Sequence, residues 1–255
     1  GLSGADRIAF LNGLVSNDVT RAVPGQAVWA ALLTAQGRYL ADFFIFSDGE
    51  RLLLETRRDA VPALLAKLRR FKLRAAVELT DLSETLRVVA SWDGAPPPIP
   101  ITAPDPRLAG AGFRALSEAE VTANADAPAY DAFRLSLGLP DGPPDLEPEK
   151  TLLLEAGFDE LGGVDWQKGC YMGQELTART KYRGLVKRRL VPVRLSEPVK
   201  PGTTVLADGV EVGSLRSSAG EFGLANLRID ALAKELRADT ARVVPNIPAW
   251  MRLPA

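Results

Sequence analysis

Apolar residues follow two rhythms along the first ninety positions. Ile8, Leu11 and Val15 recur at helical spacing behind Ser3 and Asp6, which predicts a capped helix over about 4–15. Positions 28–34 form a short apolar strand. Runs 38–46 and 52–56 flank Ser47, Asp48, Gly49 and Glu50, and the Asp-Gly pair marks a hairpin. Asp59 is placed to cap a helix whose stripe is Val61, Leu64, Leu65 and Leu68. Strands follow at 75–79 and 85–91. The stretch 93–106 holds Pro96, Pro97, Pro98, Pro100, Pro104 and Pro106 and reads as a loop between two halves. Asp126 caps a helix over 127–137 that Gly138 and Pro140 end. From Leu185 the texture changes to short apolar runs at 190–195, 203–207, 210–215 and 222–227. Pro201-Gly202, Asp208-Gly209 and Ala219-Gly220 separate them, as a small antiparallel barrel requires. The expectation is an α+β protein with one domain over 1–184 and a second over 185–255.

Composition narrows the chemistry. The 255 residues include no histidine and one cysteine, with a net charge of −1. Ser-His-Asp and Cys-His catalysis and His-based metal sites are therefore excluded, as is an internal disulfide. A lone thiol fits a reducing compartment, and the expected location is the cytoplasm. No apolar run approaches the roughly 18 residues of a membrane span, and the start does not read as a signal peptide, so no membrane partner is expected. Near neutrality hides a local polarity. Over 141–164 there are seven acidic residues against Lys150, and over 165–194 eight basic residues against Asp165 and Glu175.

The chemistry concentrates in Lys168, Gly169, Cys170, Tyr171, Met172, Gly173, Gln174 and Glu175, continuing to Arg179. Glycines on both sides of Cys170 permit a tight turn before a helix. At such a turn, beside Lys168 and helix amides, a thiolate is favoured, giving a nucleophile or a metal-binding thiolate. The alternative is a buried cysteine acting as a small apolar residue. Glu175 and Arg179, four apart, also fit an ordinary helical ion pair. The basic run from Arg179 to Arg189 is a weak candidate for nucleic acid, since Tyr182 alone interleaves it. Lys67, Arg69, Arg70, Lys72 and Arg74 read as a solvated helix face.

The run KGCYMGQE resembles the signature of the folate-binding YgfZ family, which is related to the T-protein, the aminomethyltransferase of glycine cleavage. Positions 10–19 (FLNGLVSNDV) are similar to that family's opening helix and turn. Positions 34–42 (TAQGRYLAD) resemble its glycine-then-aspartate hairpin, and Leu161, Gly162, Gly163 and Val164 precede the signature at the family spacing. GLANL at 223–227 looks like its barrel ending. The resemblance covers roughly residues 2–230. It implies a T-protein-like folate-binding body of antiparallel sheets and helices around a central hole, followed by a small C-terminal β-barrel.

The resemblance also implies tetrahydrofolate or a derivative as cofactor, with no resident metal, and a role in iron-sulfur cluster assembly or repair for client enzymes, tRNA-modifying ones included. Partners are then clients or assembly factors, with direct tRNA binding a lesser possibility. On this reading Tyr130 stacks on folate, Glu155 lines its pocket, and Arg134 belongs to a segment similar to RxEAGxP in which Ser136 stands where the transferase has its pterin-gripping glutamate. Lys168 and Arg179 accompany the thiolate or the folate carboxylates. Gly169, Tyr171, Gly173, Gln174 and Glu175 complete the motif. Cys170 is the expected reactive residue. Asp42 is the survivor of an aspartate pair that reads Ala41-Asp42 here, which weakens the alternative of a folate-dependent aminomethyl- or methyltransferase. An accessory factor is favoured over an enzyme, and a tRNA-binding accessory module is the third reading.

Overall fold

A computed structural model describes residues 1–143, 145–184 and 186–253. Leu185, where the sequence starts the second domain, lies outside them. The chain divides into two units, Gly1–Thr122 with Leu161–Gln174, and Ala123–Glu160 with Glu175–Ala255.

In the first unit the chain runs β1 (Leu2–Ser3), α1 (Arg7–Asn12), β2 (Val28–Leu33), β3 (Tyr39–Ser47), β4 (Leu52–Glu55), α2 (Val61–Lys72), β5 (Glu78–Leu79), β6 (Arg87–Ser91), β7 (Ile101–Pro104) and β8 (Phe113–Ser117). Strands pair antiparallel in the order β2-β3-β4-β1-β5, and β6-β8-β7 make a second sheet. The hairpin expected at Ser47 to Glu50 is present: Gly49 takes a φ of 97°, and Asp48 Oδ1 accepts from the amides of Glu50 and Arg51.

Three details differ from the sequence reading. The capped helix expected over 4–15 is only Arg7–Asn12: Ser3 lies in β1, and Asp6 precedes α1 but makes no capping bond, its Oδ2 accepting the amide of Ala76 at 2.7 Å. Asp59 does not cap α2. It lies within a 3-10 turn, Arg58–Ala60, and pairs with Arg57. The proline-rich stretch is not all loop, since Ile101–Pro104 forms the edge strand β7, where proline costs no central ladder bond.

Successive side chains on a strand point to opposite faces, so β2 and β3 carry two different surfaces. Val28, Ala30, Leu32, Phe43 and Ile45 join an apolar core with Leu11, Val15, Leu64 and Leu68. The other face presents Trp29, Phe44 and Glu55 in register, with Asp42 beside Ala31. Both faces of β2 are buried, which is why its six residues read as a continuous apolar run.

The second unit holds α3 (Ala127–Leu137), α4 (Gln174–Tyr182), β9 (Arg188–Leu195), β10 (Thr204–Ala207), β11 (Val210–Ala219), β12 (Phe222–Arg228), β13 (Leu236–Ala238) and β14 (Ala241–Pro245). The six strands close a barrel in the order β10-β11-β12-β9-β14-β13. Its interior holds Val191, Val193, Val205, Leu215, Ala225, Leu227, Leu236 and Val243. The sequence reading missed β13 and β14, which are short and carry one arginine each. α3 starts where Asp126 accepts the Ala129 amide and ends where Gly138 turns left-handed, and it packs on β9, β11 and β12. At Gly138 a side chain would strike Pro192 and Trp250. Among the described residues no helix is long and apolar enough to cross a membrane.

Candidate functional site

The signature segment is pinned into the first unit from both ends. Upstream, Ser16 Oγ donates to the Gly163 carbonyl at 2.6 Å and accepts the Ala31 amide. Asn17 Nδ2 donates to the carbonyls of Trp29 and Gly162, each at 2.7 Å. Asp165 Oδ1 accepts from the amides of Gln167 and Lys168, closing a turn. The Lys168 ammonium then gives its three hydrogens to the carbonyls of Asn12, Val15 and Asn17, at 2.7, 2.6 and 2.8 Å. Burial pushes its pKa down from 10.5 to about 8, against the pull of Asp18 and Asp165. Lys168 is thus committed to the loop after α1, not to a thiolate or a folate carboxylate, although it also lies 5.2 Å from the Tyr171 ring.

Downstream, Gln174 Oε1 accepts the Tyr171 amide at 3.0 Å. Gly173 takes a φ of 81°, and a side chain there would come within 2.4 Å of the Thr34 carbonyl oxygen. Glycine is required at that point by both the conformation and the contact. Between these two anchors Cys170 stands exposed with a free thiol, and Gly169 beside it has open space. The buried alternative for Cys170 does not hold. Nor does the thiol sit in a helix N-terminal turn, because α4 starts only at Gln174.

Asp42 is buried, at 8% exposed. Its Oδ2 accepts from Trp29 Nε1 at 2.9 Å and its Oδ1 from the Tyr39 hydroxyl at 2.7 Å. Beside it on the same sheet face lies a buried charge network that the sequence reading did not foresee. Arg114 Nε donates to both Glu55 oxygens at 3.0 Å, and Arg107 holds Asp105 through its Nε at 3.0 Å and Nη2 at 2.6 Å. Both guanidinium groups lie over Phe44, at 4.0 and 4.8 Å, and Arg107 reaches Trp29 at 5.7 Å. Burial pushes the Asp105 carboxyl up, but Arg107 and Arg114 together hold it below its ordinary value. The available signal was an arginine inside the strand 113–117, where alternation leaves no solvent face.

The remaining expected site residues belong to the second unit. Tyr130 is half-buried on α3. Arg134 is buried, and its Nε donates to Asp131 and its Nη1 to Asp145 and the Leu139 carbonyl. Asp145 also accepts from Ser217, and burial raises its pKa despite these donors. Arg134 therefore ties α3, through Asp145, to Ser217 of the barrel. Ser136 donates to the Phe133 carbonyl, as helical serines do. Glu155 is half-buried, and its carbonyl accepts the Leu190 amide. Glu175 and Arg179 are exposed on α4 and, among the described residues, form no salt bridge with each other. No three His, Cys, Asp or Glu side chains among the described residues group as a metal site.

The architecture is that of the glycine cleavage T-protein fold. The glycine cleavage aminomethyltransferase T of Bartonella henselae superposes with a TM-score of 0.70 over 97% of this chain and 82% of its own, at 14% identity. Residues 187–253 match the C-terminal beta-barrel domain of CAF17. The mitochondrial iron-sulfur cluster assembly factor IBA57 of Homo sapiens is 34% identical, covering 97% of this chain and 81% of its own length. The IBA57 homolog of Mycosarcoma maydis is 40% identical over 75% of this chain, and that of Coccidioides immitis 34% identical over 84%. The chain belongs to the IBA57 family of iron-sulfur cluster assembly factors, a more specific placement than the YgfZ resemblance. It spans 54% and 58% of the two fungal relatives' lengths. These relatives are mitochondrial proteins, which overturns the cytoplasmic expectation. A single unpaired thiol fits any reducing compartment and never singled out the cytoplasm.

Proposed function

We propose that this protein supports iron-sulfur cluster assembly by offering the Cys170 thiolate to a cluster whose other ligands come from a partner assembly factor or a client enzyme. The observation that carries this is an exposed thiol on a backbone fixed by Lys168, Gln174 and the close approach at Gly173. A cluster needs several thiolates, and this chain has one, so ligation is shared. Clients that modify tRNA follow from the YgfZ resemblance.

We further propose that tetrahydrofolate binds through Tyr130, Glu155 and Arg179. With Arg134 and Lys168 committed elsewhere, Arg179 is the expected tail-binding cation that remains exposed. The transferase reading is weaker, since Asp42 is a single carboxylate with both oxygens hydrogen-bonded and Ser136 replaces the pterin-gripping glutamate.

Cys170→Ser should leave tetrahydrofolate affinity unchanged in calorimetry and abolish activation of an iron-sulfur client in reconstitution. Full client activity in that variant would overturn the thiol's role. Separately, Tyr130→Ala should weaken tetrahydrofolate binding about tenfold, the value of a lost stacking contact. An unchanged isotherm would remove Tyr130 from the site.

A further inference from the structure

The C-terminal end of α2 carries two features that the cluster and folate readings leave unused. Lys67, Arg69, Arg70, Lys72 and Arg74 lie within eight residues, and 61–77 contains no acidic residue. Among the described residues none of the five makes a salt bridge or a side-chain hydrogen bond, and the nearest acids in sequence are otherwise placed: Asp59 pairs with Arg57, and Glu78 lies on β5. Leu73, between Lys72 and Arg74, is 88% exposed, the most exposed large apolar side chain of the described residues. It also takes φ 44° and ψ −109°, a conformation that suits glycine and strains leucine. Helix-dipole compensation accounts for one or two of the cations. It does not account for a strained, solvated leucine at the apex.

We infer that this tip is a contact for an anionic lipid surface, with Leu73 as the inserting side chain and the five cations on the headgroups. Leu64 and Leu68 on the opposite side of α2 are locked into the first unit's core, so the helix presents its tip from a fixed base. A single apolar wedge flanked by cations, of which Arg69, Arg70 and Arg74 are exposed and Lys67 and Lys72 half-buried, needs no shape complementarity, which a fluid interface does not offer. A nucleic-acid platform would need an exposed aromatic for stacking, and Phe71, the aromatic of the tip, is half-buried. A protein hot spot would need a packed cluster of anchors in place of one leucine. The contact is peripheral: twelve residues of α2 extend about 18 Å, too short to span a bilayer. It amends the expectation of no membrane partner without requiring a transmembrane segment.

Sedimentation of the full chain with lipid vesicles tests this. Binding is expected to vesicles of phosphatidylcholine with roughly one-third phosphatidylglycerol, to fall steeply with added salt, and to be absent with phosphatidylcholine alone. At about fivefold per cation, Arg69→Glu with Arg70→Glu should weaken it at least about 25-fold. Leu73→Gly, which relieves the backbone, should melt no lower than the parent yet bind about fivefold more weakly. Absence of binding to the anionic vesicles overturns the inference. So does binding to neutral vesicles of equal strength, an unaffected Leu73→Gly variant, or tighter binding of polyuridylate or polyglutamate to the same residues.

Discussion

The barrel and the second face of the β2-β3-β4 sheet are both buried, and they are built from opposite materials. The barrel interior is aliphatic throughout, with Val191, Val205, Leu215, Leu227 and Leu236 at or near zero exposure. The sheet face is aromatic and ionic, with Asp105 and Arg107 side chains 1% exposed and Arg114 and Glu55 close behind. Aliphatic burial is non-directional and loses stability in proportion to the volume removed. A buried ion pair contributes little net free energy while intact but leaves an uncompensated charge when one partner is removed. The two regions should therefore fail differently under mutation.

A large effect is expected at the ionic face. Glu55→Ala takes the bidentate partner from a buried Arg114, which keeps only the longer contact to Asp105 at 3.7 Å among its salt bridges, and should lower stability by about 3 kcal/mol, measured by urea denaturation. The double replacement Glu55→Leu with Arg114→Met should recover most of that loss, because it removes both charges at similar volume. If the double variant is no better than the single one, the face depends on the specific hydrogen bonds to Glu55 and not on charge balance. In the barrel, Leu215→Ala should cost about 2–4 kcal/mol, and no second substitution that removes charge should rescue it.

A smaller effect is expected where the signature segment is tied down. Asn17→Ala removes donors to the carbonyls of Trp29 and Gly162, both in buried or half-buried settings, and should cost about 1–3 kcal/mol. Asn17→Asp is the sharper variant, since it keeps the shape and the acceptor oxygen used by the Asp18 amide but loses both donors. Equal stability of wild type and Asn17→Asp would mean that these two bonds do not hold the segment.

The same contrast explains what the sequence disclosed. The barrel strands β9 to β12 were legible because alternation and Gly-containing turns are local signals. α3 was legible in full because Asp126 and Gly138 act as caps through their own backbone neighbours. The capping roles expected of Asp6 and Asp59 failed for the opposite reason: one carboxylate was taken by Ala76, seventy positions away, and the other by Arg57. The KGCYMGQE run located the thiol, and its exposure fits the reactive reading. The partners of Lys168 and Arg134 were not legible, because they lie in distant or irregular segments. A charged residue in a sequence shows its charge but not whether that charge is already spent. The ionic sheet face was missed likewise, since Glu55, Asp105, Arg107 and Arg114 converge only after the strands pair.

Lys168 gives the finest test of the difference between an intact and a spent charge. Its pKa is about 8 in the folded protein against 10.5 for an ordinary lysine. Between those values the unfolded chain still binds a proton that the folded one has released, so unfolding takes up protons and stability rises with pH. Below about pH 8 both states are protonated, and the full desolvation cost of the buried ammonium is present. The melting temperature of the wild type should therefore gain, across this window, an increment that Lys168→Met lacks, with every other lysine and tyrosine common to both proteins. Lys168→Met should also be less stable at neutral pH, because the carbonyls of Asn12, Val15 and Asn17 lose their donor. Parallel melting curves for the two proteins from pH 8 to 10.5 would show that the three carbonyl partners offset the desolvation of the ammonium and leave its pKa at the ordinary value.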